Sequence, residues 1–138
     1  MSKPTLSLSG AWTGVYDYDD DAKEPVGFTA DLTDIGGVIW GEISEPNSFS
    51  PSAAKALTAA VSGLRTGREV TFNKEYQGDV PGGEEIVFYA GQISADGDCI
   101  KGTWRIQFPV EVGGPFVMNR PDGAVVAKQR ERELSVRI

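Results

Sequence analysis

The chain has 138 residues, of which 40% are hydrophobic, so it has the size of one domain with one apolar core. Its formal net charge of −7 argues against generic binding to nucleic acid or to anionic membranes, because such binding relies on lysine and arginine. The absence of histidine excludes Ser-His-Asp, Cys-His and histidine-based zinc sites, and we expect neither a metal ion nor another cofactor.

Alternating apolar and polar residues, interrupted by glycine and proline, predict a succession of short β-strands. In the first of them, Trp12, Tyr16 and Tyr18 share one face. Asp34-Ile35-Gly36-Gly37 predicts a hairpin turn, and Asp96-Gly97 is the strongest short hairpin signal in the chain. The glycine pairs 36–37, 82–83 and 113–114 are assigned to turns. The predicted strands cover residues 9–18, 28–33, 38–43, 56–62, 70–74, 86–93, 100–106 and 116–120.

About eight strands without a helical pattern between them predict an all-β fold. An antiparallel up-and-down barrel is our first choice, because a meander must close or stack to protect its edge strands. A two-sheet β-sandwich fits the same alternation and stays open as the alternative. We assign the barrel domain to residues 1–123 and a C-terminal tail to residues 124–138. The composition of the tail fits a helix, an edge strand or disorder equally.

Tryptophan and glycine recur together on three predicted strands, in Ser9–Gly14, Gly37–Glu42 and Lys101–Ile106. Gly10-Ala11-Trp12 on the first strand, together with Arg120 on the last, resembles the calycins, the barrels that include lipocalins, fatty-acid-binding proteins and avidins. In lipocalins such a tryptophan closes one barrel end and a late basic residue packs across it. The meander as a whole looks closer to the streptavidin style. The biotin-contacting residues of avidins have no counterpart that can be placed here, so the resemblance implies a fold and not biotin binding.

Signals for export or membrane insertion are missing from the sequence. No apolar run approaches the roughly 20 residues that cross a bilayer, and Met1–Ser9 contains no stretch typical of a signal peptide. The single cysteine, Cys99, cannot form an internal disulfide. We therefore expect a soluble, cytoplasmic protein.

Polar residues that share a face with aromatic neighbours indicate a candidate binding site. Lys74 alternates with Phe72 and Tyr76. Glu42 alternates with Trp40 in the same way, and Gln92 with Phe88 and Ala90. If these faces point into the barrel, the polar groups orient a small amphipathic ligand, and if they lie near strand ends they simply reach water. The predicted ligand-binding residues are Tyr16, Trp40, Glu42, Lys74, Gln92 and Trp104. The predicted inward-facing apolar residues also include Phe28, Phe72, Phe88, Phe116 and Met118.

The leading functional hypothesis is a non-catalytic barrel that binds a small molecule. A second hypothesis is a protein-interaction or assembly module with a packed interior, whose C-terminal tail mediates self-association or binds a protein partner. An enzyme comes third, because nothing in the spacing of the twenty acidic residues singles out a catalytic set. The acidic run Asp17–Asp21 is not an EF-hand, since Ala22 and Phe28 stand where glycine and glutamate are needed.

Overall fold

The computed structural model describes residues 6–20, 23–46, 56–77, 86–106 and 111–121. These residues form a closed barrel in which each antiparallel strand pairs with the next and the last pairs with the first. None of the described residues forms a helix, and so no helix among them is long and apolar enough to span a membrane. The strands are β1 (Gly10–Tyr16), β2 (Val26–Ile35), β3 (Val38–Pro46), β4 (Ala56–Thr66), β5 (Glu69–Tyr76), β6 (Val87–Ile93), β7 (Cys99–Ile106) and β8 (Val112–Asn119).

Pairing between β1 and β8 decides between the two predicted architectures. Thr13 lies opposite Asn119 and Tyr16 opposite Phe116, so the sheet closes on itself. The predicted all-β, up-and-down barrel is thereby confirmed, and the sandwich is excluded. The tail predicted over residues 124–138 lies outside the described residues.

Two of the turns predicted from glycine are confirmed. Gly36 and Gly37 connect β2 to β3 with φ values of 61° and 91°, and Gly97 lies in the β6–β7 turn with φ of 79°. Other residues rarely adopt such backbone angles. The assignment of residues 113–114 to a turn was wrong, because β8 begins at Val112 and both glycines lie within it. Residues 82–83 lie outside the described residues.

Strict alternation along each strand places one set of side chains inside the barrel. In β1, Trp12 and Tyr16 are buried, as are Phe28, Ala30 and Leu32 in β2. Gly14 lies between the two buried β1 aromatics, and a Cβ atom there would come within 2.4 Å of the Phe28 ring. The small residue therefore makes room for the ring on the neighbouring strand.

One end of the barrel, which we call the closed end, carries the turns at 36–37, 67–68 and 94–98. Leu8 is fully buried there, and its carbonyl accepts a hydrogen bond of 2.9 Å from the Trp12 indole nitrogen. The Arg120 guanidinium lies 4.6 Å from the centre of a Trp12 ring and donates hydrogen bonds to the Ser7 and Ser9 carbonyls. This arginine therefore joins the end of β8 to the chain that precedes β1.

Asp34 connects three parts of the closed end. Its carboxylate accepts hydrogen bonds from the Leu8 amide at 2.9 Å, the Gly37 amide at 3.0 Å and Arg65 Nε at 2.8 Å. Burial alone would raise the pKa of Asp34, but the hydrogen bonds from Arg65 and from the two amides outweigh it and hold the pKa below its ordinary value. The carboxylate thus fixes the chain before β1 against the β2–β3 turn.

Asp34→Asn should destabilise the barrel by about 1–3 kcal/mol at neutral pH, because the charged acceptor of the hydrogen bonds from Leu8, Gly37 and Arg65 is lost. The depressed pKa makes this contribution present above the unfolded-state pKa of about 4, and it is lost as pH falls through the lower folded-state pKa. Urea unfolding of the wild type and of Asp34→Asn, repeated from pH 7 to acidic pH, measures both the loss of stability and its dependence on pH. Asp31→Asn, an exposed change on the same strand, is the control. A wild-type advantage that persists in strong acid would contradict the role given to Asp34.

Candidate functional site

The opposite end, which we call the mouth end, is ringed by half-buried apolar side chains. Each lies at a strand end with the alternation that faces the barrel interior, and each packs against the buried core. At the closed end, by contrast, the corresponding space is filled by Leu8 and Trp12. Among the described residues, the two ends of the barrel therefore differ in the side chains that lie over the interior. The rim residues are Tyr18, Val26, Tyr76, Ile106 and Val112.

A buried ion pair lies below this rim. Lys74 Nζ on β5 is 3.1 Å from Glu45 Oε2 on β3, and the two side chains are 2% and 0% exposed. Glu45 Oε1 accepts hydrogen bonds from the Tyr16 hydroxyl at 3.2 Å and the Tyr76 hydroxyl at 2.5 Å. Both carboxylate oxygens are therefore occupied, and both phenols must donate, since a carboxylate only accepts.

Tyrosine rings enclose the ammonium group of the pair. Lys74 Nζ lies 4.7 Å from the centre of the Tyr16 ring, 4.8 Å from that of Tyr76 and 5.6 Å from that of Tyr89. Aromatic ring faces attract cations most strongly where water is excluded. Tyr16, Tyr18, Glu45, Lys74, Tyr76 and Tyr89 are called the Lys74 cluster below.

Trp104 on β7 connects the Lys74 cluster to the rim. Its indole ring makes edge-to-face contacts with Tyr16 at 5.4 Å and with Tyr18 at 5.1 Å between ring centres. Its nitrogen donates a 2.7 Å hydrogen bond to the Asp17 carbonyl, which follows β1. The indole is therefore held in one orientation beside the mouth.

Burial sets the electrostatics of the ion pair. Loss of hydration lowers the pKa of Lys74, and the neighbouring Glu45 carboxylate opposes that shift. Burying two charges costs several kcal/mol for each ion, which attraction between them repays only with good geometry and further hydrogen bonds. The phenols supply those hydrogen bonds on the Glu45 side. Removing either partner would leave a buried charge without compensation.

All four tyrosines of the chain belong to the Lys74 cluster. Burial is the largest cause of the raised pKa at each phenol, and the negative charge of Glu45 raises each of them further. Ionising any of these hydroxyls would place a second negative charge beside the carboxylate.

The folded barrel should show no tyrosine ionisation near pH 10. Because the folded-state pKa values exceed that of the unfolded chain, the stability they contribute is complete below about pH 10 and is lost as pH rises above it. Absorbance of tyrosinate and circular dichroism, recorded together during alkaline titration, should therefore change in one step. Protein in concentrated denaturant, where the phenols should titrate near pH 10, is the control. Ionisation near that pH with an unchanged folded spectrum would contradict this expectation.

Lys74→Met should destabilise the barrel by about 3–5 kcal/mol, because Glu45 loses its buried counter-ion. In the double variant Lys74→Met, Glu45→Gln, the loss should be smaller than the sum of the two single losses by about 0.5–3 kcal/mol. Urea unfolding of the wild type and the three variants gives this coupling. Glu42→Gln is the matched control for Glu45→Gln, because Glu42 lies on the same strand as Glu45 with its side chain on the outside of the barrel. Additive losses would show that the pair does not act as a unit.

Three of the six predicted ligand-binding residues lie inside the barrel. Tyr16 and Lys74 form part of the Lys74 cluster, and Trp104 contacts it. Trp40, Glu42 and Gln92 lie on the outside, so the inward orientation considered for them was wrong. In β3 the inward side chains are Ile39, Ile43 and Glu45, and in β6 they are Val87, Tyr89 and Ile93. Phe88, predicted to face inward, is 42% exposed.

Glu45 is the central residue that sequence reasoning missed. It lies beyond the predicted end of β3 at residue 43, whereas the strand continues to Pro46. The signal was present in the alternation of Ile39, Ile43 and Glu45. The apolar run Val38-Ile39-Trp40 allows either face of β3 to point into the barrel. The large Trp40 side chain favoured the face that in fact points outside. Tyr89 was missed for the same reason, because Phe88 beside it suggested the opposite face.

A cleft with a volume of ≈ 970 Å³ opens beside the mouth end. Trp104 and Val112 lie in its wall, and the latter also belongs to the rim. The outer wall is charged, with three carboxylates and two cations. These charged residues are Asp19, Asp20, Lys23, Arg105 and Glu111. The cleft therefore lies next to the Lys74 cluster, with the buried Trp104 and the half-buried Val112 in its wall and charged side chains around them.

Within the described part of the chain, no three His, Cys, Asp or Glu side chains converge as metal ligands. The ion pair is neutralised internally, and its phenol hydrogens point at Glu45. The chain matches no protein-family model and no curated protein sequence. The site geometry is therefore the basis for a functional proposal.

Proposed function

We propose that this chain is a non-catalytic barrel that binds a small, uncharged amphipathic molecule at its mouth end. The observation that carries the proposal is the cleft of ≈ 970 Å³, which shares Trp104 and Val112 with the interior side of the barrel. Binding sites for small molecules have volumes of about 300–1,000 Å³ and combine apolar walls with a few polar groups. The cleft meets the criterion of volume, and it combines Trp104 and Val112 with five charged residues.

The preference for an uncharged ligand rests on the charges around the mouth. Inside, Lys74 is already paired with Glu45, so among the described residues below the rim a buried ligand charge would find no free counter-charge. Outside, Asp19, Asp20 and Glu111 outnumber Lys23 and Arg105, which disfavours an anion. Apolar parts of the ligand would pack mainly on the half-buried Val112, because Trp104 in the same wall is buried, and hydroxyl or amide groups would meet the charged wall.

The calycin resemblance belongs to this proposal. Stacking of Arg120 on Trp12 at 4.6 Å agrees with what that resemblance implies for a closed barrel end. In this proposal the ligand therefore lies at the other end of the barrel. The cytoplasmic localisation and a partner for the C-terminal tail stay predictions.

Nile red, an uncharged polarity-sensitive dye, tests the proposal. The dye should bind with increased emission, and the anionic dye 1-anilinonaphthalene-8-sulfonate should bind more weakly. Val112→Glu should weaken binding of Nile red by at least about tenfold, since it places a charge in the apolar wall. Val38→Glu is the matched control, because Val38 also begins a strand but lies outside, far from the mouth. Native mass spectrometry of freshly purified protein would identify a co-purified ligand.

Several outcomes would overturn the proposal. Loss of Nile red binding in Val38→Glu with retention in Val112→Glu would place the dye on the outer surface. Stronger binding of the anionic dye would contradict the charge argument. If Val112→Glu does not fold, Val112→Ser removes the apolar contact without adding a charge, and unchanged dye affinity in that variant would exclude the cleft.

A further inference from the structure

The ammonium group of Lys74 is held by one carboxylate and by the faces of aromatic rings. Glu45 Oε2 lies 3.1 Å from Lys74 Nζ. The ring centres of Tyr16, Tyr76 and Tyr89 lie 4.7, 4.8 and 5.6 Å from the same nitrogen. Aromatic cages recognise organic ammonium ligands through the same attraction between ring face and cation. We call Glu45 and these three tyrosines the ammonium cage. Its occupant in this structure is a side chain of the same chain.

Contacts that do not involve the lysine hold the walls of the ammonium cage in place. The Tyr16 and Tyr76 hydroxyls donate hydrogen bonds to Glu45 Oε1, whereas the ammonium group binds Oε2. The Tyr89 ring stacks on Phe72, with 4.6 Å between ring centres. Loss of the ammonium group therefore leaves the carboxylate oriented and the ring faces turned towards the position that the nitrogen occupied.

Strand register places Lys74 between two apolar residues. Val61 of β4 lies opposite it on one side and Val87 of β6 on the other, and both valines are buried. Side chains of directly opposite residues lie on the same face of a sheet, about 5 Å apart. The alkyl part of the lysine therefore has apolar neighbours, and its charged end has the ammonium cage. A ligand that matches both parts is an alkyl chain with a terminal ammonium group.

We propose that the ammonium cage is a preformed site for a primary alkylammonium ion, and that Lys74 determines its specificity by occupying it. With the lysine in place, organic cations are excluded from the site. With a short side chain in place of Lys74, the buried Glu45 carboxylate has no counter-ion, and the barrel takes up an amine from solution. A primary amine fits best, because the 3.1 Å contact with Glu45 needs an N–H donor that a quaternary ammonium ion lacks.

Lys74→Ala in the full chain, refolded with n-propylammonium chloride, tests the inference. This substitution removes the side-chain atoms from Cγ to Nζ, which are those of n-propylamine. The urea midpoint of the variant should rise with propylammonium concentration at constant ionic strength, as for a ligand that binds only the folded state, and that of the wild type should not. The uncharged n-propanol, and tetramethylammonium without an N–H donor, should each bind at least about tenfold more weakly. Refolding with the amine makes the result independent of entry past the rim.

Two further variants separate the ammonium cage from general effects of the salt. Lys101→Ala is the matched control, because Lys101 is an exposed lysine on β7, and its urea midpoint should not respond to propylammonium. In the double variant Lys74→Ala, Glu45→Gln, the affinity for propylammonium should fall by at least about tenfold, since the counter-ion is gone. If Lys74→Ala alone does not fold, circular dichroism should show folding on addition of propylammonium and not of sodium chloride. The inference does not rest on the proposed function, because none of these measurements involves a ligand at the mouth.

Four outcomes would overturn the inference. Equal effects of propylammonium on Lys74→Ala and Lys101→Ala would mean that the amine acts on the protein in general. Equal stabilisation by n-propanol would reduce the site to an apolar cavity. Full affinity in the double variant would exclude Glu45 as the counter-ion. A Lys74→Ala variant that stays unfolded at every propylammonium concentration would show that the ammonium cage does not form without the lysine.

Discussion

Closure of the sheet between β1 and β8 is the constraint on which the rest of this barrel depends. The register pairs 13–16 with 116–119, four positions, whereas β3 and β4 pair over nine. Hydrogen bonds from the Asp17 and Asp19 amides to carbonyls of β8 extend this short junction at the mouth end. Arg120 extends it at the closed end by binding the chain before β1. An open sheet would expose two edges of unpaired backbone groups, so these additions protect the weakest pairing.

A closed sheet of eight strands encloses a space that side chains can fill, and the two ends of this interior are filled differently. Leu8 and Trp12 occupy the closed end, while the Lys74 cluster lies below the mouth. A buried ion pair is a weak source of stability. The Lys74–Glu45 pair instead restricts which side chains can lie beside it, because Glu45 must receive its hydrogen bonds from Lys74 and from phenols on β1 and β5.

The architecture was predictable because glycine turns and alternating residues act over a few positions of the chain. Tyr16 and Trp104 were predicted correctly as inward-facing residues for the same reason, since polar or small residues separate them from the apolar neighbours on their own face. For Lys74 the alternation left two orientations open, into the barrel or towards water near a strand end, and the structure decides for the first. Which face of β3 and of β6 points into the barrel was not predictable in this way, because Trp40 and Phe88 are large apolar residues that lie outside. Local alternation carries no information on what covers the outside of a barrel. The partnership of Glu45 with Lys74 was equally out of reach, because it depends on strands that are not adjacent in the sheet.

The three tryptophans of the chain occupy three different environments. Trp12 is buried beneath a guanidinium at the closed end, Trp104 is buried against two phenol rings, and Trp40 is 45% exposed on the outside. Indole emission depends on the polarity and charge around the ring. The barrel therefore carries one built-in optical reporter for each of its regions, and their emissions can be separated by replacing the other two indoles with phenylalanine. The Tyr16 and Tyr18 rings lie 5.4 and 5.1 Å from the Trp104 ring between centres, so excitation energy from these two tyrosines should pass most efficiently to the indole at the mouth end.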